Sequence, residues 1–198
     1  MNKKLLWANL VIFLLLVSAA GLWAFSSLVK PFAKATTIEA AAAAEFIHAV
    51  IEAQRTVYAT NVVDFLQSSG VVDAGEHWKD ERSLPLPAQM ILDGGRLVSA
   101  KGIGLKYRLA SLTPIYVWNL PQSDFERKGL EAVAKFPEEP FKGFFQLGQQ
   151  RYFQAIYADL AVSEACVKCH NAHPNSPRRD YKKDDVMGGI IITFPVKE

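Results

Sequence analysis

The sequence predicts an α+β domain in which a long N-terminal helix leads into an antiparallel sheet with helices packed on one side, the whole preceded by one transmembrane helix. Three observations carry this expectation. Residues 5–29 run for 25 positions without a charge. From Thr36 a helical pattern persists to Ser68, and beyond it short apolar and alternating runs are separated by turn formers. With 198 residues, 50% hydrophobic and 21% charged, the chain can bury a core, which excludes a disordered, collagen-like or disulfide-scaffold class. A net charge of +2 is too small to imply a nucleic-acid partner.

The charge-free run follows Lys3 and Lys4 and precedes Lys30 and Pro31. A membrane span needs about 20 apolar residues, whereas the apolar region of a signal peptide has roughly 7 to 15. The length therefore favours an uncleaved anchor, with cleavage near Ala19, Ala20 or Ala24 as the alternative. Lysines at both ends leave the orientation open. This divides the chain into 1–34, an N-terminal membrane anchor or uncleaved signal, and 35–198, the folded domain. The anchor holds four lysines and no acid, so the rest carries 18 basic against 20 acidic groups and is mildly acidic.

Thr36 and Glu39 stand at capping-box spacing and open the long helix, which Ser68, Ser69 and Gly70 stop. A polar loop with Gly75, His77 and Trp78 follows. Pro85 and Pro87 open a short apolar helix that Gly94 and Gly95 are expected to end. Leu105, Tyr107 and Leu109 alternate with Lys106 and Arg108, the period of a half-buried strand. Ser123 and Glu126 repeat the capping box and start a helix to about Ala134. Phe144 to Gln149 and Tyr152 to Leu160 read as a hairpin, and Gly188 to Phe194 as a buried strand.

Both cysteines lie in one pentapeptide, Cys166-Val167-Lys168-Cys169-His170, in what reads as a loop. This is the attachment pattern for c-type haem: two thiols add to the vinyl groups, and the adjacent histidine lies beneath the iron as proximal ligand. Three other readings use the same residues. A thioredoxin-type dithiol would need a βαβ context. A zinc site would have to crowd Cys166, Cys169, His170 and His173 together. A Cys166–Cys169 disulfide would close too small a loop to stabilise much. Covalent haem maturation takes place outside the cytoplasmic membrane, which resolves the orientation: the domain faces the periplasm from a single-pass inner-membrane anchor.

Several stretches resemble the PAS-like single-haem c-type sensor domain family, found on the periplasmic side of bacterial histidine kinases, chemoreceptors and cyclases and as free-standing proteins. The resemblance rests on Arg55-x-x-Tyr58-x-x-Asn61-Val62, Leu84-Pro85-Leu86-Pro87-Ala88, Asp124-Phe125-Glu126 and the haem segment from Cys166 through His173-Pro174 to Pro177, continued by Asp180-Tyr181-Lys182 and Asp185-Val-Met-Gly188. It covers roughly residues 40–196. It implies a PAS-like antiparallel sheet, one covalent haem c and a redox or small-gas sensor role. Where the family often has Pro-Phe-Pro, this chain reads Pro114-Ile-Tyr-Val-Trp-Asn119.

For the distal side, counting removes the cysteines, and the candidates are His48, His77, His173, Met90, Met187, Tyr58 or water. His48 is the candidate distal ligand. Arg55 and Tyr58 are read as lining the distal side, with Arg55 on a propionate. Met90 reads as core filler and His77 as a solvated loop residue. Phe141, Phe144, Phe145, Tyr152, Phe153 and Tyr157 are expected to form core and one pocket wall. Arg178, Arg179, Lys182 and Lys183 read as a solvated mixed-charge loop. No nucleophile–base pair, phosphate loop or carboxylate cluster accompanies the haem motif, so enzymatic activity is not expected. The functional expectation is a redox or small-gas sensor that signals through a partner protein, with a monohaem electron carrier as alternative. The expected partners are the membrane, a gas ligand or redox protein, and a second copy of the chain in a homodimer.

Overall fold

The computed structural model describes residues 37–197. The expected span at residues 5–29 lies outside them, and among the described residues no helix is long and apolar enough to cross a membrane. The chain begins in α1 (Ala40–Val57), widens into a π-helical segment (Tyr58–Asp64) and closes with the short α2 (Phe65–Ser68). Glu39 is the N-cap, and its side chain makes no capping bond. Thr36, the proposed capping partner, is not among the described residues.

Next come β1 (Ala74–Gly75), α3 (Trp78–Glu81) and β2 (Leu84–Pro85), with β1 and β2 paired in parallel. Helix α4 spans Pro87–Ala100 and does not stop at Gly94 and Gly95. A glycine mid-helix usually weakens it. Here the two glycines let the helix lie against the next strand, because a Cβ on Gly95 would strike the Tyr107 carbonyl oxygen and one on Gly94 the Tyr107 hydroxyl. Strand β3 (Lys106–Ala110), a 3-10 turn (Val117–Asn119) and α5 (Asp124–Lys135) follow. The Ser123 hydroxyl accepts the Glu126 N–H at 3.2 Å, as a capping box requires. The reciprocal half is missing: the Glu126 carboxylate instead accepts from Arg108 and from the Gln122 N–H.

Strands β4 (Phe141–Leu147) and β5 (Gln150–Leu160) form the expected hairpin around Gly148, at φ +61°. Helix α6 (Glu164–Ala172) carries both cysteines, so the segment expected as a loop is helical. Strand β6 (Val186–Val196) completes a fully antiparallel sheet in the order β3-β6-β5-β4.

The α+β class holds, but helices cover both faces of this sheet rather than one. Phe153, Ala155 and Tyr157 of β5 and Ile190 and Ile192 of β6 pack with Ala44 and Ile51 of α1 and Ile91 of α4. The alternate residues Ile156 and Ile191 pack with Leu130 and Val133 of α5. Because successive strand residues point to opposite faces, Ile190, Ile191 and Ile192 are all buried only if both faces are covered.

Candidate functional site

A cleft of about 1170 Å³ opens where the π-helical segment, α6, the β1–β2 region and the 113–119 segment converge. Cys166, Cys169 and His170 all line it. They sit at i, i+3 and i+4 of α6, the spacing that puts three side chains on one helix face. The helix is pinned at both ends. At its start the Asp64 carboxylate accepts the Ala165 N–H at 3.2 Å, satisfying one of the donors that every helix start leaves free. At its end Asn171 donates to the Tyr181 carbonyl at 2.9 Å and accepts the Tyr181 N–H at 3.0 Å. The Tyr181 ring meets His170 edge-on at 5.8 Å, so the imidazole has a fixed neighbour on one side.

Burial first, and then the neighbouring His173 and Arg55, push the His170 pKa down. The neutral imidazole is the form that ligates a metal. Burial also pushes the Cys169 thiol up, helped by Glu76 and Cys166. Both cysteines are free thiols, so the disulfide reading is not realised. Helix α6 joins two antiparallel strands, which leaves the dithiol reading without its βαβ context. Of the four residues the zinc reading needs, His173 is turned to Glu76 at 3.2 Å and does not line the cleft with Cys166, Cys169 and His170.

Of the other residues singled out in the sequence, Arg55 reaches the cleft wall and His48 and Tyr58 do not. The Arg55 guanidinium is bound to Asp159 at 2.9 Å, with both side chains buried, and its Nε has no partner. Burial pushes the Asp159 carboxyl up while Arg55 pulls it back. His48 stacks on Tyr157, ring centroids 3.8 Å apart, with its Nε2 buried and unpartnered. The Tyr58 hydroxyl donates to the Pro85 carbonyl at 2.7 Å, tying the π-helical segment to β2. Met90 packs in the core as filler, His77 and Met187 line the cleft, and Met187 is buried. Of the aromatics expected to form core and pocket wall, Phe153 and Tyr157 belong to the core as expected, whereas none of the six lines the cleft and Phe144 is exposed. Arg178 binds Asp180 at 2.7 Å and Asp185 at 2.9 Å, away from the cleft.

Sequence reasoning missed the far wall. Glu76 accepts from the Tyr116 hydroxyl and engages His173, so three distant segments meet there. The bond to Glu76 pushes the Tyr116 pKa up to about 12. Tyr116 stacks on Trp118 at 4.5 Å. The contacts of Glu76 with Tyr116 and His173 join residues 40 and 97 positions apart, which no local spacing could reveal. Asp159 carried a faint signal, an acid inside the apolar run Ala155–Leu160.

A model of the Tll0287-like family matches residues 33–195 of the chain. No curated protein matches it. Among solved structures, the crystal structure of the cyanobacterial haem protein Tll0287 is similar over 81% of this chain and 99% of that one, at 12% identity and a TM-score of 0.53. At that identity the likeness shows a shared fold.

Proposed function

We propose, since the chain belongs to the Tll0287-like family, that this domain is a PAS-like c-type haem protein, with Cys166 and Cys169 forming the thioethers and His170 the proximal ligand. The observation that carries the reading is that both thiols and the imidazole face one large cleft from a single turn of a helix pinned at both ends. At about 1170 Å³ the cleft is somewhat larger than the ~300–1,000 Å³ typical of ligand and cofactor sites, room enough for a large flat cofactor. Tll0287 is itself described as a haem protein, which supports the same assignment. Bound there, haem would supply one-electron redox chemistry and an iron able to take a small gas.

The chain's own residues then do the rest. Tyr181 and Asn171 fix the bearing of His170, and burial keeps its imidazole neutral. Asp64 ties the first turn of α6 to the π-helical segment of the long helix. A displacement at the cysteines would therefore reach that helix directly. This linkage favours a redox or small-gas sensor that signals through a partner; the membrane anchor, the periplasmic placement and the non-enzymatic role in this proposal are read from the sequence. The second reading, an electron carrier, is favoured by the exposed Val117 and Trp118 beside the cleft, where a redox partner can dock.

The test is expression alongside the c-type maturation machinery. Wild type is expected to keep haem on a denaturing gel, and the C166A/C169A double variant to lose it; an unstained wild-type band sinks the proposal. Reduced protein that binds carbon monoxide or nitric oxide, or switches ligand with redox state, supports sensing. Six-coordinate low-spin iron in both oxidation states, with fast exchange to a donor, supports the carrier instead.

A further inference from the structure

The outer side of the long helix carries an apolar stripe that nothing in the domain covers. Phe46, Val50, Val57 and Phe65 are 63%, 57%, 54% and 63% exposed. Ala53 and Asn61 lie between them and are also exposed. The steps from Phe46 to Val50, Ala53 and Val57 are four, three and four residues, the alternation of a coiled-coil seam. Continuing that alternation in a regular α-helix would put the next seam position at Thr60. The π-helical segment Tyr58–Asp64 widens the helix by one residue, which moves it to Asn61 and the following one to Phe65. The widening thus keeps a six-position stripe in phase across α1 and α2.

We propose that this stripe is the seam of a twofold homodimer, in which α1 of one chain packs parallel to α1 of a second copy. Three features select that occupant. The positions flanking the seam, Ile47, Ala49, Gln54 and Thr56, are uncharged, so two identical helices meet without repulsion and without the charge code that chooses a different partner. A stripe that pairs with itself suits an isologous interface. A helix lying on lipid would carry Lys or Arg on its polar face. Here Glu45 and Glu52 are exposed, and Arg55, the one Lys or Arg of α1, is buried against Asp159. The parallel direction rests on the membrane-anchor reading: two chains rooted through residues 5–29 in one bilayer enter their long helices from the same side. The self-pairing does not depend on haem.

The experiment uses the full chain in nanodiscs and in mild detergent, with haem absorbance and thermal unfolding followed alongside. Wild type is expected to have the protein mass of two chains, and photoreactive benzoylphenylalanine in place of Ala53 to yield a chain-to-chain product. V50D/V57D is expected to weaken self-association by more than about tenfold, since like charges then face each other in the seam, and to unfold at the temperature of wild type diluted to its monomer. Mixing V50E chains with V50K chains is expected to restore the dimer, because parallel pairing sets position 50 against itself. A monomeric wild type, a V50D/V57D protein that still dimerises, or lipid-only crosslinks would overturn the self-pairing. Dimers that V50E and V50K fail to rescue would overturn the parallel arrangement. A chain that lacks covalent haem yet dimerises in this way would count against the haem reading alone.

Discussion

Arg55 and Asp159 meet at 2.9 Å in the wall of the cleft, and each neutralises a charge the other could not keep buried alone. Removing one partner leaves an uncompensated buried ion, which typically costs about 3–5 kcal/mol, whereas replacing both by well-packed apolar residues is often neutral. R55M should therefore lower unfolding free energy by about that amount, and R55M/D159L should recover most of it. A denaturant titration of both proteins separates the outcomes; equal losses would mean that packing, not charge, is what Arg55 supplies. His48 offers a pH-dependent counterpart. Burial against Tyr157 pushes its pKa below the ordinary histidine value, although Glu52 and Glu45 on the same helix pull it up. The unfolded chain then binds a proton more readily than the folded one, so stability is full above pH ~6.5 and falls as pH drops toward the lowered folded value. H48F keeps an aromatic ring beside Tyr157 and removes the titration. Its unfolding temperature should lose part of the wild-type decline between neutral and mildly acidic pH.

Helix α4 reverses an ordinary rule about glycine. In an exposed helix Gly→Ala stabilises by roughly 1 kcal/mol. At Gly95 the new methyl would fall on the Tyr107 backbone oxygen, which cannot move without parting α4 from β3. G95A should destabilise by about 1–3 kcal/mol, as overpacking does. G94A meets only the Tyr107 hydroxyl, which can swing aside, and should do less harm. Thermal unfolding of the two variants reads the difference directly. The same helix shows where sequence reasoning stops. The hairpin and the Ser123 cap were legible because turn chemistry and capping act over two to four residues. The end of α4 was not, because what makes its glycines helical is a strand beyond the next turn. Helices on both sheet faces were half legible: a buried run of three isoleucines already demands cover on each side. The cysteine pentapeptide stands out for a different reason: in the proposed reading its spacing answers to the cofactor's chemistry rather than to the fold. Its helical form was not, because the caps that hold α6, Asp64 and Asn171 with Tyr181, lie outside the motif.

The whole domain divides into a sheet that supports itself and a set of short segments around the cleft. The sheet and its two core clusters hold long ladders and side chains with almost no exposure, as at Ile156, Ile191 and Ile192. Around the cleft the chain is built from short pieces: the two-residue β1 and β2, the four-residue α3 and the three-residue 3-10 turn. These pieces meet through the side chains of Glu76, Tyr116 and His173 and through Tyr58 on Pro85 rather than through an apolar core. Local opening free energy follows buried contacts and protected backbone bonds, so these segments should open far more readily than the sheet. Filling the cleft with covalent haem would give residues 74–81 and 113–119 a common apolar surface to close on. Hydrogen exchange on wild type and on C166A/C169A is expected to show the same slow amides in β5 and β6. In those two cleft segments, wild type should exchange more slowly than the variant. Equal exchange there would mean that the cleft walls are already set before the cofactor arrives, and a loss of protection in β5 and β6 would mean that the sheet is not the independent frame.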